Sequence, residues 1–182
     1  MPAYKLMLLP ADPGSPPVNC VRLAGELQAI GLIGAPVALE DNLFYPTGDN
    51  FLQLISFLGC SPYIQLAPPA NGGVDFCHIT LFGPLGSPQL LHGKNTRPPR
   101  CPSCKAPIAN WREGLETESL SCARCNLTSP LSTMEWRNNA GLGRFFIVIQ
   151  NIFPGEAVPV DALMNQLRGI SGGEWGYFYI QT

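Results

Sequence analysis

Apolar positions along the chain recur at two spacings, and their order sketches the fold. Residues 4–9 are a short apolar run closed by Pro10, which reads as a strand. After a Pro/Gly/Ser loop, Asn19 is placed to cap a helix. Its apolar positions Val21, Leu23, Ala24, Leu27 and Ile30 fall on one face, and Gly31 and Gly34 stop it. Residues 36–45 alternate imperfectly and read as extended. Asp49 or Asn50 opens a second helix through Phe51, Leu54, Ile55 and Leu58, with Gly59 as its stop. Apolar runs at 63–67 and 75–82 flank Asn71-Gly72-Gly73, a hairpin signal. A long polar stretch then runs from Gly83 to about Gly143. The pattern resumes at 144–152, an almost continuous apolar run that reads as a buried central strand. A helix at 161–170, capped by Asp161 and closed by Ser171-Gly172-Gly173, leads to an aromatic-rich strand at 174–181.

This order predicts an α+β fold, with helices packed on a mixed or antiparallel sheet. The two ends of the chain echo one another as strand, Pro-Gly loop, capping residue, short helix and glycine stop. Residues 1–92 and 141–182 are expected to form the α+β body together. Residues 93–140 are then a mini-domain inserted between two core strands.

The inserted stretch holds the chain's clearest chemistry. Cys101-Pro-Ser-Cys104 is followed, seventeen residues later, by Cys122-Ala-Arg-Cys125. Two residues between cysteines let a tight turn present both sulfurs together, and two such turns supply the four soft ligands of a tetrahedral metal site. Pro102 pre-sets one turn, and Lys105 and Asn126 follow the two turns, where asparagine tolerates a left-handed backbone. On this spacing residues 97–137 resemble the zinc-ribbon family. The resemblance implies one structural Zn²⁺ held by Cys101, Cys104, Cys122 and Cys125. With four cysteines filling the tetrahedron, no position is left for a reacting water. A dithiol redox centre needs only one such pair and a βαβ setting, which the pattern lacks. His92 stands nine residues before Cys101 as an alternative ligand.

Composition changes the picture in two ways. The chain has 182 residues with 46% hydrophobic but only 13% charged residues, so its surface carries more neutral and apolar area than usual. The net charge of −2 also hides a dipole. Residues 92–144 hold eight of the eleven basic residues and four acidic ones, a balance of +4 against −6 for the rest. Arg97, Arg100, Lys105 and Arg112, with Trp111 beside them, are therefore candidate binding residues. They could meet a protein surface, or a phosphate backbone with the indole stacked on a base. No apolar stretch is long enough for a membrane span, and no signal-peptide pattern opens the chain, so a cytoplasmic location is expected.

No catalytic constellation emerges. Cys77 and His78 are neighbours in a strand reading and point to opposite faces. Cys60 follows a helix end, where the dipole disfavours a thiolate, and Cys20 falls on an amphipathic stretch. The glycine clusters lack the lysine and helix of a phosphate loop. The first expectation is a non-enzymatic zinc-ribbon interaction or adaptor protein that meets a protein partner or a second copy of itself. Arg97, Arg100, Trp111, Trp136 and Trp175 are its contact candidates. The alternative is a nucleic-acid-binding regulator that uses the basic segment.

Overall fold

A computed structural model of the chain describes residues 4–15, 19–39, 42–58, 64–70, 73–153 and 156–182. Gly59, Cys60, Tyr63, Asn71 and Gly72, on which parts of the sequence reading rest, lie outside them.

The chain runs β1 (Tyr4–Pro10), α1 (Cys20–Ala29), β2 (Val37–Leu39), β3 (Asn42–Pro46), α2 (Phe51–Leu54), β4 (Ile55–Phe57) and β5 (His78–Phe82). It continues through β6 (Gln89–His92), β7 (Ser119–Ser121), β8 (Thr128–Pro130), β9 (Ala140–Gly143), β10 (Phe146–Gln150), β11 (Ala157–Pro159), α3 (Asp161–Ser171) and β12 (Trp175–Gln181). Six strands form the main sheet in the order β12-β1-β10-β5-β3-β2, and every pairing in it is antiparallel. The apolar run at β10 sits near its centre, between β1 and β5, as its continuous burial requires.

Strand alternation gives this sheet two buried faces. Leu6, Leu8, Ile79, Ile147 and Ile149 belong to one large apolar cluster, which Leu23 and Leu27 of α1 and Leu163 and Leu167 of α3 also join. Met7, Leu9, Phe146, Val148, Phe178 and Ile180 form a second cluster on the other face. The β6–β9 ribbon covers part of that second face. Leu91 of β6 packs against the cluster, and its partner in register, Gly141, lies against the Phe178 ring. A Cβ on Gly141 would fall 2.4 Å from that ring, so glycine is what allows the ribbon to approach. The neighbouring pair Leu90 and Leu142 turns the opposite way and packs against a third cluster, built around the cysteines. One two-stranded layer thus closes the sheet on one side and seats the cysteine segment on the other.

The segment is also bonded along the edge of β12. Lys94 N donates to Gln181 O at 2.9 Å and Tyr179 N to Asn138 O at 3.2 Å. Asn95 reaches the same strand twice, donating to Tyr179 O and accepting from Gln181 N. Thr96 is buried and donates from its hydroxyl to Asn139 O at 2.6 Å, which ties the segment's entry to its exit.

The expected α+β architecture is corrected. The chain is mostly antiparallel sheet, with 34% strand against 19% helix, and its three helices are short. The expected second helix stops after four residues because Ile55 turns extended (φ −116°, ψ 108°) and begins β4. It pairs antiparallel with β11, a strand that the sequence pattern did not suggest. The first helix forms where expected, and Asn19 Oδ1 accepts from Arg22 N at 3.0 Å. Val21 nonetheless leaves its apolar face at 84% exposure. In α3 the cap position is Val160 rather than Asp161, which sits in the first turn, while Gly172 closes the helix in the left-handed region as expected. Residues 75–77 are not part of β5, and among the described residues 64–67 form no strand.

Candidate metal centre

The two cysteine pairs sit in matching turns. Arg100 and Pro107 form a bridge that closes the first, and Ser121 and Thr128, the last register pair of the β7–β8 hairpin, close the second. In the first turn Lys105 N donates to Cys101 O at 3.0 Å and Cys101 N to Ala106 O at 2.9 Å. In the second, Asn126 N donates to Cys122 O at 2.8 Å and Cys122 N to Leu127 O at 2.9 Å. Lys105 and Asn126 occupy the same position in the two turns and both are left-handed, at φ 59° and 57°. The residue that follows each pair must reverse the chain, and asparagine does so at low cost. The sequence reading of both turns holds.

The turns face each other. All four Sγ atoms lie within 4.8 Å of one another, with Cys101 and Cys125 at 3.7 Å and Cys104 and Cys122 at 3.5 Å. Metal–sulfur bonds of about 2.3 Å in a tetrahedron put the sulfurs roughly 3.8 Å apart, so the spacing fits a four-thiolate site. The turn backbones favour the charged form. N–H groups of Cys125 and Arg124 aim at Cys122 and bring its thiol down to about 6. Those of Cys104 and Ser103 lower Cys101 in the same way. Cys125 feels the Leu127 N–H, but burial and its three sulfur neighbours outweigh it and push the thiol up to about 12. Four cysteine sulfurs grouped this closely could hold a metal ion.

A small apolar cluster backs the sulfurs. Cys101 and Cys122 belong to it, with Ile108, Trp111, Leu120, Leu131, Met134, Trp136 and Ala140. Trp111 is wholly buried, edge-on to the rings of Trp136 (5.2 Å) and His92 (5.1 Å). Its Nε1 is the one buried side-chain polar atom without a hydrogen-bond partner among the described residues. The Trp136 indole donates to Leu131 O at 3.2 Å. His92 meets the centre through this aromatic contact rather than as a ligand, since the four-sulfur group does not include it.

The candidate binding residues divide. Arg97, Arg100, Lys105 and Arg112 are exposed. Lys105 pairs with Glu135, whose backbone in turn bridges Arg100. Arg112 lies over the Trp111 ring at 4.3 Å, a cation–π contact that covers the indole. Trp111 therefore offers no face for stacking, and Trp136 and Trp175 are buried as well. The sequence analysis missed Glu135 because thirty residues separate it from Lys105, and no local pattern links the two.

The other described cysteines, Cys77 and Cys20, are quiet. Burial pushes the Cys77 thiol up to about 12, the opposite of activation. Next to it, His78 Nδ1 donates to Phe76 O at 2.8 Å among the rings of Phe44 and Phe76. Cys20 donates to Gly83 O at 3.5 Å, and burial raises its thiol too. No helix among the described residues is long and apolar enough to cross a membrane. Compared with protein-family models, with curated proteins and with solved structures, the chain matches none.

Proposed function

We propose that the protein is a non-enzymatic interaction protein of zinc-ribbon type, in which one structural Zn²⁺ fixes the surface of residues 97–137. The observation that carries this reading is the closed group of four sulfurs on two matching turns. Thiolates select a soft or borderline ion, and a filled tetrahedron leaves zinc no position for catalysis. The exposed arginines of the segment and its low charge elsewhere suit a protein partner or a second copy of the chain.

Native mass spectrometry should show one zinc per chain, lost in Cys122→Ser. Light scattering and a pull-down with the full chain should then show self-association or a retained protein. A metal-free chain that stays folded, monomeric and without a retained partner would sink the reading.

The nucleic-acid alternative keeps its exposed cations but loses its stacking platform, because Trp111 lies beneath Arg112. Filter binding across a salt series decides it, since phosphate contacts weaken steeply as salt rises.

A further inference from the structure

A cleft of about 760 Å³ opens where the cysteine segment meets the rest of the chain. Its apolar lining comes from Leu90 and Leu142 of the two-stranded layer and from Leu115 and Leu131. Its two charged lining residues, Asp12 and Glu118, are both acidic, and no lysine or arginine lines it. Arg144 shares a small neighbouring hollow with Asp12, but its Nε is turned to Leu85 O at 2.9 Å. The segment around the cleft is the basic part of the molecule, so an acidic lining here is a local inversion of charge.

We propose that this cleft receives a short basic peptide segment of a partner protein, one large apolar side chain seated on the leucines and lysine or arginine on either side facing Asp12 and Glu118. The inference rests on the interaction reading above and deepens it. An apolar side chain supplies the anchor, because Leu90, Leu115 and Leu142 are only partly covered and water leaves them on docking. The flanking cations supply selectivity, since an acidic segment would bring like charges toward both carboxylates.

The test uses the full zinc-loaded chain and three fluorescent nonapeptides. One carries a central leucine between lysines, the second has glutamate in place of lysine, and the third has alanine in place of leucine. Anisotropy should show the lysine–leucine peptide binding and both others weaker, the glutamate peptide by about tenfold or more. Glu118→Lys should weaken the first peptide by about fivefold, the scale of an exposed ion pair. Ser132→Trp, at an exposed lining position of the cleft, should block it, with zinc content and circular dichroism unchanged. Equal binding of the lysine and glutamate peptides, no binding up to millimolar concentration, or indifference to both substitutions overturns the proposal.

A pull-down with wild type and Ser132→Trp separates this failure from that of the wider reading. A partner retained by both chains sinks the cleft alone. A partner retained by neither, together with a monomeric chain in light scattering, sinks the interaction protein itself.

Discussion

Stripping the metal should unfold the cysteine segment and spare the main sheet. The β7–β8 hairpin has three register pairs and the first turn has a single closing bridge, and an isolated hairpin of that size is marginal in water. Two of the nine residues in the supporting cluster, Cys101 and Cys122, belong to the four-cysteine group itself. A structural zinc contributes on the order of 10 kcal/mol or more to folding in comparable units. That is similar to the whole stability of an ordinary domain, so its loss should exceed what the remaining cluster supplies. The twenty-residue cluster on the other side of the main sheet contains none of these side chains. The tryptophans read out the difference. Trp111 and Trp136 lie in the segment, whereas Trp175 is anchored in the body through Ser171 Oγ at 2.8 Å. Chelation should therefore red-shift most of the emission while far-ultraviolet strand signal persists, and zinc should restore it. Unchanged emission together with a single unaltered melting transition in the stripped chain would refute the argument.

Three further outcomes follow from single contacts. Gly141→Val should lower stability by about 1–3 kcal/mol through overpacking against Phe178 and Leu9, whereas Gly169→Ala, in α3 with open space around it, should raise stability by about 0.5–1 kcal/mol; thermal melts of the pair measure both. Asn126→Val should cost about 1–2 kcal/mol, because a β-branched residue resists the left-handed backbone, and should weaken zinc in a competition titration, while Asn126→Gly should bind as wild type. Burial first, and Lys5 with it, holds the folded His78 ring below its ordinary 6.5 despite the Phe76 carbonyl. The unfolded chain then takes up the extra proton, so stability is full above about 6.5 and declines as pH falls below it; denaturant titrations from pH 8 to 5 should show that slope, and His78→Gln should shallow it.

The metal centre was far more legible than the fold around it. Its signal is local: two cysteines two residues apart, a residue that accepts positive φ after each pair, and a loop long enough to fold back. Those facts fix the turn geometry whatever the rest of the chain does, and the structure reproduces them at Cys101, Cys122, Lys105 and Asn126. Strands with one strong feature were legible too, such as the continuous apolar run at β10. Phe51, Leu54, Ile55 and Leu58 failed because helical spacing over eight residues is too short to exclude a turn followed by a strand. Here β11 decided the outcome, offering Ile55–Phe57 a partner from a hundred residues away. Trp111 failed for a related reason. Its neighbours in sequence are charged and exposed, but its neighbours in space are Trp136, His92 and the Arg112 guanidinium. Sequence proximity to arginine reads as a surface, whereas the fold makes it a lid.

The same layer that joins the second cluster to the cysteine cluster would give a bound metal a reach beyond its own turns. Leu90 and Leu142 pack against the cysteine cluster and also line the cleft, while Leu91 and Gly141, one residue along, close the second face of the sheet. A strand pair cannot shift one face and keep the other, because alternate side chains share one backbone. Whatever holds the cysteine cluster therefore also holds these cleft leucines in place. A rigid lining lowers the ordering cost that a docking peptide must overcome. A structural ion with no chemistry of its own would in this way determine what the protein can bind.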